Sequence, residues 1–158
     1  MNTFPSSPEY AFCEMVIARL AEHPDLSPLV LPEPYDSDDQ SSKLAMASRQ
    51  YEGAIAVMPA GLDMDWQGVD AARVSVWTAR ASILALVTSQ VSGQTAGRRI
   101  SDLTAAIIRQ LTRWDPSPAG GTYGEPWFAG TSDLDMSGMA DLRNLSGRAI
   151  MLARRINI

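Results

Sequence analysis

Residues 73–88, with the sequence RVSVWTARASILALVT, decide the fold. Apolar and polar side chains alternate through the first half of this stretch, which is typical of a strand with one exposed face. Near its end, Leu84, Leu86 and Val87 make both faces apolar, as in a strand that is buried on both sides. We therefore predict one long strand here, with a bulge near Ala79 as one explanation for the change of pattern. The richness in Ala and Leu leaves a helix open for part of the stretch.

An amphipathic helix is predicted to follow over residues 95–113. Its apolar side chains recur on one stripe, which we expect to face the sheet. The members of this stripe are Ile100, Leu103, Ile107, Leu111 and Trp114. We expect them to pack against Leu84, Leu86 and Ile150. Asp115-Pro116 ends the helix, because proline removes a backbone donor.

The other elements are predicted from periodicity and from turn residues. A first helix over 8–22 begins near Ser6 or Ser7, with the capping-box spacing of Ser6 and Glu9, and ends at His23-Pro24. Residues 28–31 and 54–58 are predicted as short strands, 43–50 as a short helical turn, and 148–158 as a closing strand. Residues 33–42 are predicted as a polar loop and 60–70 as an exposed loop or hairpin arm. Residues 122–145 are predicted to be irregular, with Trp127-Phe128 as a short strand or an anchor.

This order of elements favours an α+β fold in a single domain spanning residues 1–158. We predict a mainly antiparallel β-sheet with two main helices packed on one face. No apolar run reaches the roughly 20 residues that a membrane-spanning helix needs. The N-terminus lacks the basic and apolar regions of a signal peptide, so we expect a cytoplasmic protein that does not enter a membrane.

Charge is distributed unevenly along the chain, although the net charge is only −5. Residues 1–72 contain 12 acidic and 3 basic side chains, whereas residues 73–158 contain 6 acidic side chains and 10 arginines. One interpretation is that these charges mix in the folded domain. The other is a dipolar subunit that packs head to tail around a ring. The overall acidity argues against a dedicated nucleic-acid binder.

Residues that usually carry chemistry are few. His23 is the single histidine, and we interpret it as a helix C-terminal residue. Cys13 lies on the apolar stripe of the first helix, where it acts as a small hydrophobe. The spacing of Asp36, Asp38 and Asp39 resembles the start of a calcium loop, but the expected Gly and the closing Glu are missing. We therefore expect no cofactor and no metal, and no enzymatic activity.

Four tryptophans remain as candidates for packing or for contact with partners. They lack interleaved basic residues, so core packing and interface anchoring are favoured over stacking on bases or sugars. Trp66 and Trp127 lie in long Gly-rich or Asp-rich segments, and long segments of this kind usually carry function. We therefore predict that these two side chains anchor protein partners.

The stretch from Arg73 through Leu103-Thr-Ala-Ala-Ile-Ile-Arg-Gln-Leu-Thr-Arg-Trp114 to Pro116 resembles a segment of Mu-like phage tail-terminator proteins. In that family a long strand leads into an amphipathic helix that ends in an aromatic-Pro pair. The opening helix, the Pro-rich stretch after it and the closing strand Ala149–Ile158 match the same layout. The chain departs from the family in its longer 59–73 and 117–147 segments.

The resemblance implies a structural virion protein of the head-tail neck, assembled in the host cytoplasm. Such a protein forms a homo-oligomeric ring, here expected to be a hexamer, that caps the tail tube. Its implied partners are the tail-tube protein and the head-completion (stopper) protein, with the tail sheath as a further candidate. The family has no catalytic site, so none is carried over. The alternatives are another phage or bacterial assembly adaptor and a small metal-dependent enzyme that uses the acidic loops.

In such a ring DNA passes through the centre without specific binding. We expect Asp36, Asp38 and Asp39 to lie on a polar loop and to make the lumen weakly repulsive to phosphates. Arg98 and Arg99 are then expected at subunit interfaces, paired with acids of the next protomer. The alternative is that these two arginines line the channel and guide the strand.

Overall fold

The computed structural model describes residues 7–35, 37–64, 76–88, 95–116, 122–135 and 145–157. These residues form three α-helices and a four-stranded antiparallel sheet, which confirms the predicted α+β fold class. The helices are α1 (Pro8–Ala21), α2 (Ser37–Tyr51) and α3 (Ala96–Leu111). The strands are β1 (Gly53–Met64), β2 (Val76–Thr88), β3 (Thr122–Leu134) and β4 (Leu145–Asn157).

The strand order is β1-β2-β4-β3, so the predicted long strand β2 and the closing strand β4 form the centre of the sheet. These two strands pair without interruption from Val76↔Asn157 to Thr88↔Leu145. The predicted bulge near Ala79 is therefore wrong. The register shift lies instead in β1, between Pro59 and Gly61, because proline has no amide donor to keep the ladder regular.

Two helices pack on one face of the sheet, as predicted. Helix α1 lies against β1 and β2, and α3 lies against β2 and β4. The buried core of this face, which we call the helix face, is mainly apolar, with Thr104 of α3 and Arg154 of β4 as buried polar side chains. It includes Phe12, Val16 and Leu20 of α1, Ile100, Ile107 and Leu111 of α3, and Ile83, Ile150 and Leu152 of the central strands.

Helix α2 packs on the opposite face and explains the change of pattern in β2. Leu44 of α2 lies over Ala56 and Leu86, which are buried at the end of the sheet where β1 begins. The prediction that Leu84 and Leu86 contact the stripe of α3 is therefore wrong, since period-2 alternation places them on the other face from Ile83. Farther along the same face Thr78 and Arg80 are polar, because α2 does not reach them.

Helix α2 also corrects the prediction of a polar loop over 33–42 and of a short turn over 43–50. The helix begins at Ser37 and continues to Tyr51. Its first turns are polar and have no apolar periodicity, so the sequence pattern did not reveal them. The helix is stabilised by the burial of Leu44 and Ala45 on the sheet, which is a tertiary effect.

The predicted strand over 28–31 is a short 3-10 helix, Ser27–Leu29, followed by a single parallel bridge between Val30 and Ile55. Pro28 cannot donate a ladder hydrogen bond, which disfavours a strand. The chain then follows the outer edge of β1. The Leu31 amide donates to Ile55 O (2.9 Å), and the Tyr35 amide donates to Val57 O (2.7 Å).

The boundaries of three strands differ from the predicted ones, because pairing with neighbouring strands extends them. Strand β1 continues to Met64, past the expected end of the 54–58 strand, so the described part of the segment predicted as a loop or hairpin arm is a hairpin arm. Strand β3 occupies most of the segment predicted to be irregular, with register shifts between Tyr123 and Trp127 and between Phe128 and Gly130. Strand β4 begins at Leu145 rather than at 148. Gly130 takes a φ of 147°, which favours glycine and which no sequence period signals.

Helix α1 matches its prediction closely, although its cap differs. Ser7 is the N-cap, and its side chain accepts a hydrogen bond from the Tyr10 amide (3.2 Å). Glu9 does not complete a capping box. Its Oε2 accepts a hydrogen bond from the Gly61 amide (3.1 Å), at the register shift of β1.

Candidate interaction surfaces

The two oppositely charged halves of the sequence contribute opposite edge strands to the sheet, but their helices α1 and α3 pack on the same face. The acidic half forms α1, α2 and the edge strand β1, whereas the basic half forms β2, α3, β4 and the other edge strand β3. Strand β1 stands at one edge and β3 at the other, but β3 has no basic residue and carries Asp133, so the arginines of the basic half lie on β2, α3 and β4 and near the end of α3.

We define the acidic side by Tyr10, Glu14 and Glu33, whose side chains are exposed. Glu33 belongs to the segment that runs along the outer edge of β1. On α1, Arg19 faces α3, because its Nε donates to Gln110 O (3.1 Å) and its carbonyl accepts from Gln110 Nε2 (2.8 Å). At about 100° per residue, Tyr10 and Glu14 turn away from that contact.

We define the basic side by Arg109 and Arg113, which are also exposed; exposed Trp127 lies on the opposite face of the sheet, because it pairs with Ala153 while the adjacent Phe128 packs in the core of the helix face. Arg109 lies in the last turn of α3, and Arg113 follows the helix with a φ of 57°. Trp127 lies on edge strand β3 and remains 41% exposed. Exposed Trp and Arg are the residue types most enriched at the centres of protein interfaces.

None of the four charged residues on these two sides forms a salt bridge within the described part of the chain. Their charges are therefore available to a partner. By contrast, Arg19, Arg80 and Arg148 form salt bridges with Glu22, Asp63 and Asp133.

The neighbouring arginines Arg98 and Arg99, both predicted at an interface, lie in different environments. The Arg98 side chain is 72% exposed and lies 3.8 Å from Asp102 of its own helix. The Arg99 side chain is only 16% exposed, and its guanidinium donates to Thr88 O (2.9 Å) and to Glu52 O (2.8 Å). Arg99 thus ties the first turn of α3 to the end of β2 and the start of β1, and only Arg98 is available to a partner.

The remaining predicted interface residues are only partly described. Asp36 and Trp66 lie outside the described residues. Asp38 and Asp39 lie in the first turn of α2, so the prediction that they occupy a loop is wrong.

A small cleft lies beside Arg99. Its volume is about 210 Å³, and Leu29, Val87 and Leu103 contribute apolar lining while Glu52 and Asp102 contribute carboxylates. The Arg99 guanidinium already donates to backbone carbonyls, so the cleft offers one apolar floor and two solvated acids. Sequence periodicity did not indicate it, because its walls come from several separate elements.

Two buried groups on the helix face have shifted pKa values. Burial, with the nearby carboxylates of Glu9 and Glu14, raises the pKa of the Cys13 thiol to about 12. Arg154 is 1% exposed, and burial lowers its pKa while the charge of Asp115 opposes that shift. Its Nη1 lies 3.6 Å from Met15 Sδ. The thiol is thus a protonated core group rather than a nucleophile, and Arg154 is a core residue under α1.

His23 has a local role, since its Nδ1 accepts a hydrogen bond from the Asp25 amide (3.2 Å). Among the described residues, no three His, Cys, Asp or Glu side chains cluster in a way that suits a metal ion. The same residues include no helix that is both long and apolar enough to cross a membrane. Comparison with protein-family models and with curated proteins finds no match to this chain.

Proposed function

We propose that this protein is a structural subunit of a ring at the head-tail neck of a tailed phage. In this role it caps the tail tube and joins it to the head-completion protein, and DNA passes through the ring. The proposal combines the resemblance of residues 73–116 to tail-terminator proteins with one structural observation: Glu14 on α1 and Arg109 and Arg113 at the end of α3 are exposed and form no salt bridge within the described residues.

The charge placement supports a ring because of its geometry. A subunit that exposes acids on α1 and arginines at the end of α3, with no salt bridge to them within the described residues, can place its arginines on the acids of an identical neighbour. The neighbour then presents its own basic side to the next copy, and this head-to-tail contact repeats until the ring closes.

The test is electron microscopy of the purified chain at high protein concentration and low salt, together with sedimentation velocity. We expect closed rings with a central hole, with six-fold symmetry as the expected order. Antibodies against the chain should label the head-tail junction of virions that carry its gene. A chain that stays monomeric at the highest concentration contradicts the proposal, and label elsewhere on the particle indicates another assembly adaptor.

DNA binding provides a second test. A ring that lets DNA pass should not hold it, since each neutralised phosphate adds salt-dependent affinity. We therefore expect no shift of duplex DNA by the purified chain at physiological salt. Tight, salt-sensitive binding that Arg98→Glu abolishes would instead favour a DNA-handling protein.

A further inference from the structure

The sheet separates the buried apolar side chains into two clusters, and α2 contributes to only one of them. The larger cluster lies on the helix face, where α1 and α3 pack on the sheet. The smaller cluster lies on the opposite face, where Leu44 and Ala45 of α2 pack with Ala54, Ala56 and Leu86 of the sheet. Among the described residues, none of α2 belongs to the larger cluster. The packing of the helix face therefore does not depend on α2.

Helix α2 is held on the sheet by few apolar side chains. Within residues 43–51, whose side chains the structure describes, only Leu44, Ala45 and Ser48 are buried. The first turns of the helix, residues 37–42, contain no apolar residue at all. By comparison, the helix α1 of similar length buries a full apolar stripe, formed by Phe12, Cys13, Val16, Ile17 and Leu20.

The sequence of α2 also gives the helix little stability of its own. Four serines and two aspartates lie among its 15 residues. These side chains compete with the backbone for its hydrogen bonds, and the buried Ser48 hydroxyl does so here by donating to Leu44 O (2.7 Å). Even Ala-rich helices of about 15 residues are only marginally stable in water. Helix α2 therefore depends on the packing of Leu44.

Both ends of α2 are attached to the rest of the domain by the backbone. Before the helix, the Tyr35 amide donates to Val57 O (2.7 Å). After the helix, Glu52 O accepts hydrogen bonds from the Thr88 amide (3.1 Å) and from the Arg99 guanidinium (2.8 Å). The two attachment points are separated by four residues of β1, or about 13 Å, a distance that an unfolded segment of this length spans easily.

We propose that α2 is a flap, which we define as residues 37–51. The flap unfolds and refolds locally while Tyr35 and Glu52 stay attached to the sheet and the helix face stays packed. Its opening uncovers Ala54, Ala56 and Leu86. The domain thus has a second apolar surface that it exposes reversibly, and the flap does not depend on the proposed ring.

The single lysine of the chain, Lys43, lies inside the flap and provides a direct probe of its opening. A lysine-specific protease has one target in this chain, the bond between Lys43 and Leu44, and it needs unfolded backbone there. When opening and closing are fast relative to cleavage, the cleavage rate reports the population of the open state. The experiment measures this rate on the full chain under native conditions, with mass spectrometry to identify the two products.

Three variants distinguish local opening from global unfolding. Leu44→Ala should raise the cleavage rate about tenfold or more, because it removes the main apolar contact of the flap. Met46→Ala is the matched control on the same helix; its side chain is 67% exposed, so the rate should stay within about twofold of the wild type. Ile107→Val changes a fully buried residue of the helix face and lowers global stability, yet it should leave the rate unchanged. Thermal unfolding verifies that each variant folds.

Hydrogen exchange provides a second readout, and we expect the amides of the flap to exchange at least about tenfold faster than those of β2 and β4. Two outcomes overturn the flap. If Ile107→Val raises the cleavage rate by the same factor as its global unfolding constant, α2 opens only when the whole domain unfolds. If Leu44→Ala is cleaved no faster than the wild type, the packing of Leu44 does not hold the flap closed. Neither outcome affects the proposed ring, which electron microscopy tests separately.

Discussion

The adjacent residues Arg98 and Arg99 provide the sharpest test of the structure. We expect Arg99→Ala to destabilise the fold substantially and Arg98→Ala to have almost no effect. The Arg99 guanidinium donates two hydrogen bonds, at 2.9 Å to Thr88 O and at 2.8 Å to Glu52 O, and the side chain is largely buried. The Arg98 side chain is exposed, and its one ion pair, with Asp102, is long.

The expected loss in the free energy of unfolding for Arg99→Ala follows from these two hydrogen bonds. A hydrogen bond that involves a charged group contributes about 1.5–3 kcal/mol. The lower end of that range applies here, because the Glu52 carbonyl keeps a second donor, the Thr88 amide at 3.1 Å. The two bonds together give a loss of about 3 kcal/mol in the free energy of unfolding. The Glu52 carboxylate, at 3.9 Å and exposed, adds little.

For Arg98 the expected loss is about 0–0.5 kcal/mol, the usual value of an exposed helical ion pair. The N-cap of α3 is unaffected, since Thr95 Oγ1 accepts from the Arg98 backbone amide, which alanine retains. Arg99→Lys should lie between the two alanine variants, because an ammonium cannot match the planar two-pronged geometry of the guanidinium.

The assay is urea-induced unfolding of the purified variants, followed by far-UV circular dichroism, with thermal unfolding as a check. For a domain of this size, a loss of about 3 kcal/mol lowers the melting temperature by about 6–12 °C. Equal stability of Arg99→Ala and Arg98→Ala would refute the assignment of Arg99 as the tie between α3, β1 and β2.

Burial and backbone geometry give three further predictions. Ile107→Ala should cost about 2–5 kcal/mol, because this side chain is fully buried between α3 and the sheet; a loss under about 1 kcal/mol, measured by urea unfolding, would contradict the packing. Gly53→Ala should destabilise by about 1–3 kcal/mol, since its Cβ would lie 2.8 Å from the Leu86 carbonyl oxygen, whereas Gly97→Ala, with open space and a helical site, should be neutral or stabilising. Cys13 should make stability fall above pH 9: its raised folded pKa of about 12 means that the folded state holds the proton more tightly than the unfolded state, so stability is full below the ordinary value of 9.0 and is lost as pH rises. The loss at pH 10 should be about 1.4 kcal/mol, and thermal or urea unfolding of Cys13→Ala should lack this part of the pH dependence.

The periodicity of apolar residues was enough to predict the elements whose own side chains define a buried face. The stripe of α1, the stripe of α3 and the alternation in β2 and β4 predicted these four elements and the fold class, because each period directly reports which side is buried. The unequal distribution of charge between the two halves was equally visible in the sequence. That distribution predicted a possible dipolar subunit but not where the charges would lie.

Tertiary structure decided the rest, because those features depend on neighbours that are distant in the chain. Helix α2 begins in a polar run whose only signal is the burial of Leu44 on a strand that comes later in the chain. Strand β3 has little apolar periodicity and forms by pairing with β4. Arg98 and Arg99 are the same residue type at adjacent positions, yet the helical turn of about 100° between them places one beside the carbonyls of Thr88 and Glu52 and the other in solvent. The strand order likewise decided where the two halves of the chain lie, since it places β1 of the acidic half at one edge and β3 of the basic half at the other.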